Sequence, residues 1–197
     1  MTHTLHRHGS VESLQRDFCV LALVARQFDL KTEEAKASAV DRLKKIADVM
    51  ASHDPANFGS LYVPNGFVLC VFDDRERLKE TLAELKEKDY GISITVSGLV
   101  DEVFDICAEI GLQPHTVSYS LGAWGKRHLL PRAEILDLTT MCGHAMVAAN
   151  LVNEAIDDVR TGRSTPEAAA KKVAGPCLCG CFNTARAAEL LQQAARN

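Results

Sequence analysis

The sequence lacks any stretch long and apolar enough to cross a bilayer. Its longest early apolar run, residues 18–25, has eight residues, whereas a spanning helix needs roughly 20. It lacks a basic excess as well: a net charge of −4 gives no general attraction to nucleic acid or to an anionic membrane. The first seventeen residues are polar and histidine-bearing, without an apolar core or a small-residue cleavage site. No export signal is therefore expected, and the cytoplasm is the expected compartment. There is no Walker-type P-loop, no dinucleotide glycine fingerprint, and no nucleophile with an evident base. Internal repeats and low-complexity tracts are missing. So is any C-x-x-C pair, the usual knuckle of a structural zinc site.

What the sequence does have is cysteine. Seven cysteines in 197 residues cannot all pair as internal disulfides. In a chain without an export signal, clustered cysteines point to metal or redox chemistry. Cys19, Cys70 and Cys107 fall in buried-looking strand or helix positions and read as core thiols. The other four, Cys142, Cys177, Cys179 and Cys181, lie in the last 56 residues.

Hydrophobic periodicity predicts an α/β fold over residues 1–125, followed by an all-helical, cysteine-bearing region over 126–197. Residues 18–27 and 67–72 read as strands covered on both faces. Thr32 caps a helix to about Met50, with Leu43, Ile46, Ala47 and Met50 on one face. Asp73-Asp74 starts a charged helix to about Asp89, with Leu78, Leu82 and Leu85 inward. Residues 92–96 form a strand, Ser97 caps a helix to Gly111, and His115 to Leu121 reads as a further strand. Pro64-Asn65-Gly66 marks a turn. If residues 60–63 are also a strand, the order is β-α-β-β-α-β, a ferredoxin-like split pattern. Otherwise the sheet is open and mostly parallel, the arrangement favoured by the extra helix and strand that follow. Beyond Gly122 the pattern changes to an irregular loop, a short helix opened by Pro131, and a long helix from Cys142 to Gly162. A capping box at Ser164-Thr165-Pro166-Glu167 and a cap at Asn183 or Thr184 start the last two helices.

The run Cys177-Leu178-Cys179-Gly180-Cys181 carries the chemistry. Residues two apart in an extended segment project to one side, so three sulfurs can aim at one point with modest bending at Gly180. Cys142, at the expected start of the long helix, supplies a fourth thiolate, favoured there by free N–H groups and the helix dipole. Iron–sulfur clusters tolerate varied cysteine spacing. A [4Fe–4S] or [2Fe–2S] cluster on Cys142, Cys177, Cys179 and Cys181 is therefore the expected cofactor, with zinc as the alternative.

Residues 142–191 also resemble the helical [2Fe–2S]-binding domain of the iron–sulfur subunits of molybdenum hydroxylases. There a C-G-x-C turn enters a helix with a methionine-alanine stripe, and a C-x-C loop runs into a last helix. Cys142-Gly143-His144, Met146, Ala149 and Cys177-Leu178-Cys179-Gly180 carry the likeness. It implies Cys142, Cys177 and Cys179 as ligands. Ala145 stands at the family's second cysteine position, so Cys181, which has no counterpart, takes that place.

Other candidates surround this group. His144 is a possible ligand or proton donor beside the cluster. Ser97-Gly98 offers a close backbone approach and helix N–H groups to an anion. Lys126 and Arg127, in the loop Trp124 to His128, add two cations. In a parallel sheet both segments would share the strands' carboxyl ends, so one crevice would hold the cluster and a small anionic ligand. His3, His6 and His8 read as a polar arm rather than a metal site.

The leading expectation is an iron–sulfur protein of anaerobic or redox metabolism that transfers electrons or senses redox state, with a redox partner protein. An enzyme holding a three-cysteine cluster with one open iron, suited to desulfuration or dehydration, is the second. A zinc-stapled interaction module is the third.

Overall fold

The computed structural model describes residues 7–59 and 66–197. The suggested strand over 60–63 and the residues His3, His6, Pro64 and Asn65 lie outside this range. Strands β1 (Phe18–Leu23), β2 (Asn57–Gly59), β3 (Phe67–Phe72) and β4 (Ser93–Ser97) form one sheet in the order β2-β3-β1-β4. Every neighbouring pair is antiparallel, so the expectation of a mostly parallel sheet is corrected. Helices α3 (Glu33–Ser52) and α4 (Arg75–Lys88) connect β1 to β2 and β3 to β4. That order and those crossovers make the ferredoxin-like β-α-β-β-α-β arrangement. Its second strand lies at Asn57–Gly59, ahead of the expected position. Two single-turn helices, α1 (Val11–Leu14) and α2 (Arg26–Asp29), flank β1. The apolar run from Phe18 therefore stops being strand at Leu23.

The sheet is covered on both faces, and its strands sort their side chains between two cores by the period-2 rule. Phe18, Val20 and Ala22 of β1, with Val68, Cys70 and Phe72 of β3, face one way. They meet Leu43, Ile46 and Met50 of α3, Leu78, Leu82 and Leu85 of α4, and Ile106 of α5 (Val100–Glu109). Each such side chain taken fully out of water contributes about 1.5–3 kcal/mol. Thr32 and Asp74 cap α3 and α4, accepting from the N–H groups of Ala35 and Arg77 at 3.1 and 2.9 Å. Helix α5 departs from expectation: its N-cap is Leu99, while Ser97 stays in β4 opposite Cys19.

Cys19, Leu21 and Leu69 point to the opposite face. There they join the core of α6 (Ala133–Thr139), α7 (Ala149–Arg160), α8 (Pro166–Ala174) and α9 (Thr184–Arg196). Asn183 caps α9 as expected, while the N-cap of α8 is Thr165, one residue beyond the Ser164 of the expected capping box. Helix α7 begins only at Ala149, so Cys142 sits in the preceding turn and not at a helix start. Residues 115–121 form no strand. They belong to a run, 113–133, in which every residue is exposed, broken only by a 3-10 turn at Arg127–Leu129. A strand needs a partner for its backbone groups, and none of the four described strands pairs with this one.

Candidate metal centre

Two loops from the helical face meet on the sheet. The first runs from α8 to α9. Cys177 follows the end of α8, its N–H bonded to the Ala174 carbonyl at 2.8 Å. The chain then winds through a tight turn instead of extending, leaving Leu178 66% exposed. Gly180 adopts φ +81°, a conformation open to glycine at little cost. A Cβ there would collide with the backbone of Gly59, and one on Gly59 would collide with the Cys179 carbonyl. The two glycines let the cysteine loop lie directly on the end of β2.

The result is a buried triangle of sulfurs. The Sγ of Cys177 lies 3.8 Å from that of Cys179 and 3.6 Å from that of Cys181, and the last two are 3.3 Å apart. All three residues are buried. The expected convergence is present, with a wound turn in place of an extended segment as its cause. This group can hold a metal ion.

The second loop, residues 142–148, sets Cys142 beside Cys177, outside the group of three sulfurs that all lie within 4.8 Å of one another. Its thiol is lowered to about 6, first by the hydrogen bond from Cys177 and then by backbone N–H groups of Met146 and His144. These N–H groups supply what the expected helix dipole would have. The loop turns back at Ala145, which has φ +54° and donates its N–H to the Cys142 carbonyl at 3.0 Å. His144 Nδ1 stands 3.8 Å from Cys179 Sγ.

A fifth thiol was not expected. Cys19 of β1 neighbours Cys181. Cys19 is raised well above an ordinary thiol by that neighbour and by burial, while Cys181 is lowered by its interactions with Cys177, Cys179 and Cys19. Cys177 is raised by its interactions with Cys142, Cys179 and Cys181. Cys142, the triangle and Cys19 are thus neighbouring thiols whose mutual interactions raise Cys19 and Cys177 and lower Cys142 and Cys181. Cys70 faces the aliphatic core, where burial alone pushes its thiol up.

A buried ionic network pins the cysteine loop residue by residue. Arg7 donates to the Cys181 carbonyl and to that of Met141, and pairs with Asp17. Asn57 donates to the Phe182 carbonyl at 3.0 Å and Asn183 to that of Arg16 at 2.8 Å, while the Thr184 hydroxyl donates to Ala56 at 2.8 Å. Arg186 reaches the other Asp17 oxygen at 2.9 Å. Asp17 and Arg186 are 1% and 2% exposed. Two guanidinium groups against one carboxylate leave a buried positive charge beside Cys181, and that charge favours its thiolate.

The remaining candidates are spread out. Ser97 stands opposite Cys19 across the β1–β4 ladder. Gly98 packs under Phe18, whose ring would lie 2.8 Å from an added Cβ. Lys126 and Arg127 lie in the exposed run 113–133. The parallel strand ends that were to gather these segments are absent from the described sheet. A shallow open cleft lined by Asn57, Lys171, Gly175, Leu178 and Thr184 adjoins Cys177. No described helix is long and apolar enough to cross a membrane. Compared with known proteins, the chain matches no family model, no curated protein and no solved structure.

Proposed function

We propose that the protein is a metal–thiolate protein in which Cys177, Cys179 and Cys181, completed by Cys142, hold one ion that ties the two cysteine-bearing loops of the helical layer to each other. The observation that supports this reading is the size of the sulfur triangle. Four thiolates at the zinc–sulfur distance of about 2.3 Å around a tetrahedral ion lie about 3.8 Å from one another. The edges here are 3.3–3.8 Å. In a cubane each thiolate caps a different iron, so sulfurs in mutual contact would have to move apart to take one. Among soft ions, zinc suits a closed thiolate set with no open position. Cys19 neighbours Cys181 from outside the set, and Arg7 offsets part of the thiolate charge.

Such a site contributes folding free energy, because its ligands come from segments that only the folded chain brings together. An iron–sulfur centre draws on the same cysteines, and one assay separates the two. Protein purified without oxygen is analysed for zinc, iron and acid-labile sulfide. The expected result is one ion per chain and no sulfide. Iron with stoichiometric sulfide and broad visible absorption would replace the single ion with a cluster. No metal, and no uptake on reconstitution, would remove both.

A further inference from the structure

Beside its thiols the metal centre holds a donor of another kind. His144 Nδ1 stands 3.8 Å from Cys179 Sγ. An ion bound to a thiolate and an imidazole at about 2.3 and 2.0–2.1 Å, in tetrahedral geometry, sets that sulfur and nitrogen about 3.6 Å apart. His144 and Cys179 therefore already stand near the spacing of two ligands on one ion. Neither His144 nor Cys142 belongs to the group of three donors within 4.8 Å of one another, so each completes the triangle only by moving inward.

The two rivals for the fourth position share one loop and differ in depth. Cys142 is 3% exposed and neighbours Cys177. His144, two residues on, is exposed, as are Ala145 and Met146 after it. The triangle is graded in the same sense, with Cys181 0% exposed, Cys179 5% and Cys177 7%. His144 thus links solvent to one of the two outer corners. The other outer corner, Cys177, adjoins the open cleft that Lys171 lines. An ammonium group there repels an incoming cation, and among the residues lining that cleft only Cys177 is a ligand for a soft ion. Imidazole binds zinc in its neutral form, whereas a thiol must first give up its proton.

We propose that His144 is the ligand through which the ion enters and leaves the thiolate site. This inference rests on the metal reading and adds to it the route by which the ion moves. An incoming zinc ion exchanges one water for His144 Nδ1 and another for the Cys179 thiolate. Cys177 and Cys181 displace further waters, and the Cys142 thiolate finally displaces the imidazole. Any ligand still carrying a thiol proton releases it to solvent, and the zinc stays divalent throughout. Departure is the same sequence reversed, with an external chelating ligand taking the ion from His144 and Cys179. A site built in this way exchanges its ion with other molecules as well as holding it.

The test follows zinc leaving the isolated protein for an excess of a chromophoric chelator, with metal content and X-ray absorption measured on each variant. His144→Ala should keep one ion per chain and an all-sulfur shell, while transfer to the chelator slows about tenfold. His144→Asp, which returns a donor atom, should recover much of the rate, and Met146→Ala in the same exposed stretch should leave it unchanged. Cys142→Ser removes the final ligand, so its ion should stop at the imidazole, in a shell of three sulfurs and one nitrogen. Wild-type protein that carries no ion, or a cluster in its place, would remove the metal reading and this inference with it. Full metal content with His144→Ala releasing zinc as fast as the wild type would overturn this inference alone. So would a Cys142→Ser protein with no ion or no nitrogen in its shell. A nitrogen in the wild-type shell would make His144 a resident ligand and overturn the route as well.

Discussion

The two faces of one sheet are built from different materials. Toward α3, α4 and α5, the strands present Phe18, Val20, Val68 and Phe72 to a core of leucine, isoleucine and methionine. Toward α6–α9 the same strands offer Cys19, Leu21 and Leu69 to a core half of which is alanine and cysteine. Area removed from water is the main driving force on the first face. The second buries smaller side chains, and with them the neighbouring thiols and the Arg7–Asp17–Arg186 network. There, directional bonds to one loop add to the apolar burial. A fold can thus cover one side of a sheet chiefly by aliphatic packing and the other by packing together with a buried polar and thiol network.

Removing the metal should break this comparison most strongly. Chelation, or Cys177→Ser in the sulfur triangle, should cost the helical face on the order of 5 kcal/mol. That is below the apparent values for isolated zinc fingers, because an apolar core remains. Hydrogen exchange should then show α6–α9 losing protection while α3, α4 and the inner strands keep theirs. Exchange that rises equally on both faces would contradict the division.

Asp17→Ala leaves two buried guanidinium groups without a carboxylate and should cost about 3–5 kcal/mol. Urea titration measures that loss, and metal affinity should fall with it as the Cys181 carbonyl loses its anchor. On the opposite face, Leu43→Ala should cost about 2–5 kcal/mol with metal stoichiometry unchanged. That pairing of a destabilised core with an intact site is what independent faces require. Cys70→Ala should be milder still, about 1 kcal/mol, and equally silent in metal content.

The smallest effect is on pH. In metal-free protein the Cys142 thiol is lowered to about 6, against about 8.5 for a free thiol. A lowered pKa contributes stability that is fully present above the unfolded value and is lost as pH falls through the folded one. Between about pH 8.5 and 6 the Cys142 contribution should therefore decline. Thiolate ultraviolet absorbance should show a step near 6 that Cys142→Ser abolishes. A step that survives the substitution would place the charge on another sulfur.

Much of the aliphatic face was legible because its signals are local. Caps at Thr32 and Asp74 and the apolar stripes of α3 and α4 lie within single elements, and burial kept the periodicity clean. Strand direction was not legible, because β-α-β order is common to parallel and split antiparallel sheets. The missing evidence was β2, only three residues long at Asn57–Gly59. The strand expected at His115–Leu121 has the composition of an edge strand but no partner within the described sheet. At the thiol site the spacing of Cys177, Cys179 and Cys181 was enough to group them. Cys19 was missed because a thiol in a buried strand looks like core. Its phase, opposite to Cys70 and shared with Leu21, was the available clue. Arg7, Asp17 and Arg186 gave no local sign, since a buried ionic network depends on contacts between distant segments.

The central claim, one ion held by thiolates in mutual contact, is tested most directly by X-ray absorption at the edge of the metal that the purified protein carries. The account predicts a single shell of sulfur at about 2.3 Å and no metal–metal scattering. A second shell from a neighbouring metal, or a first shell of nitrogen and oxygen, would contradict it.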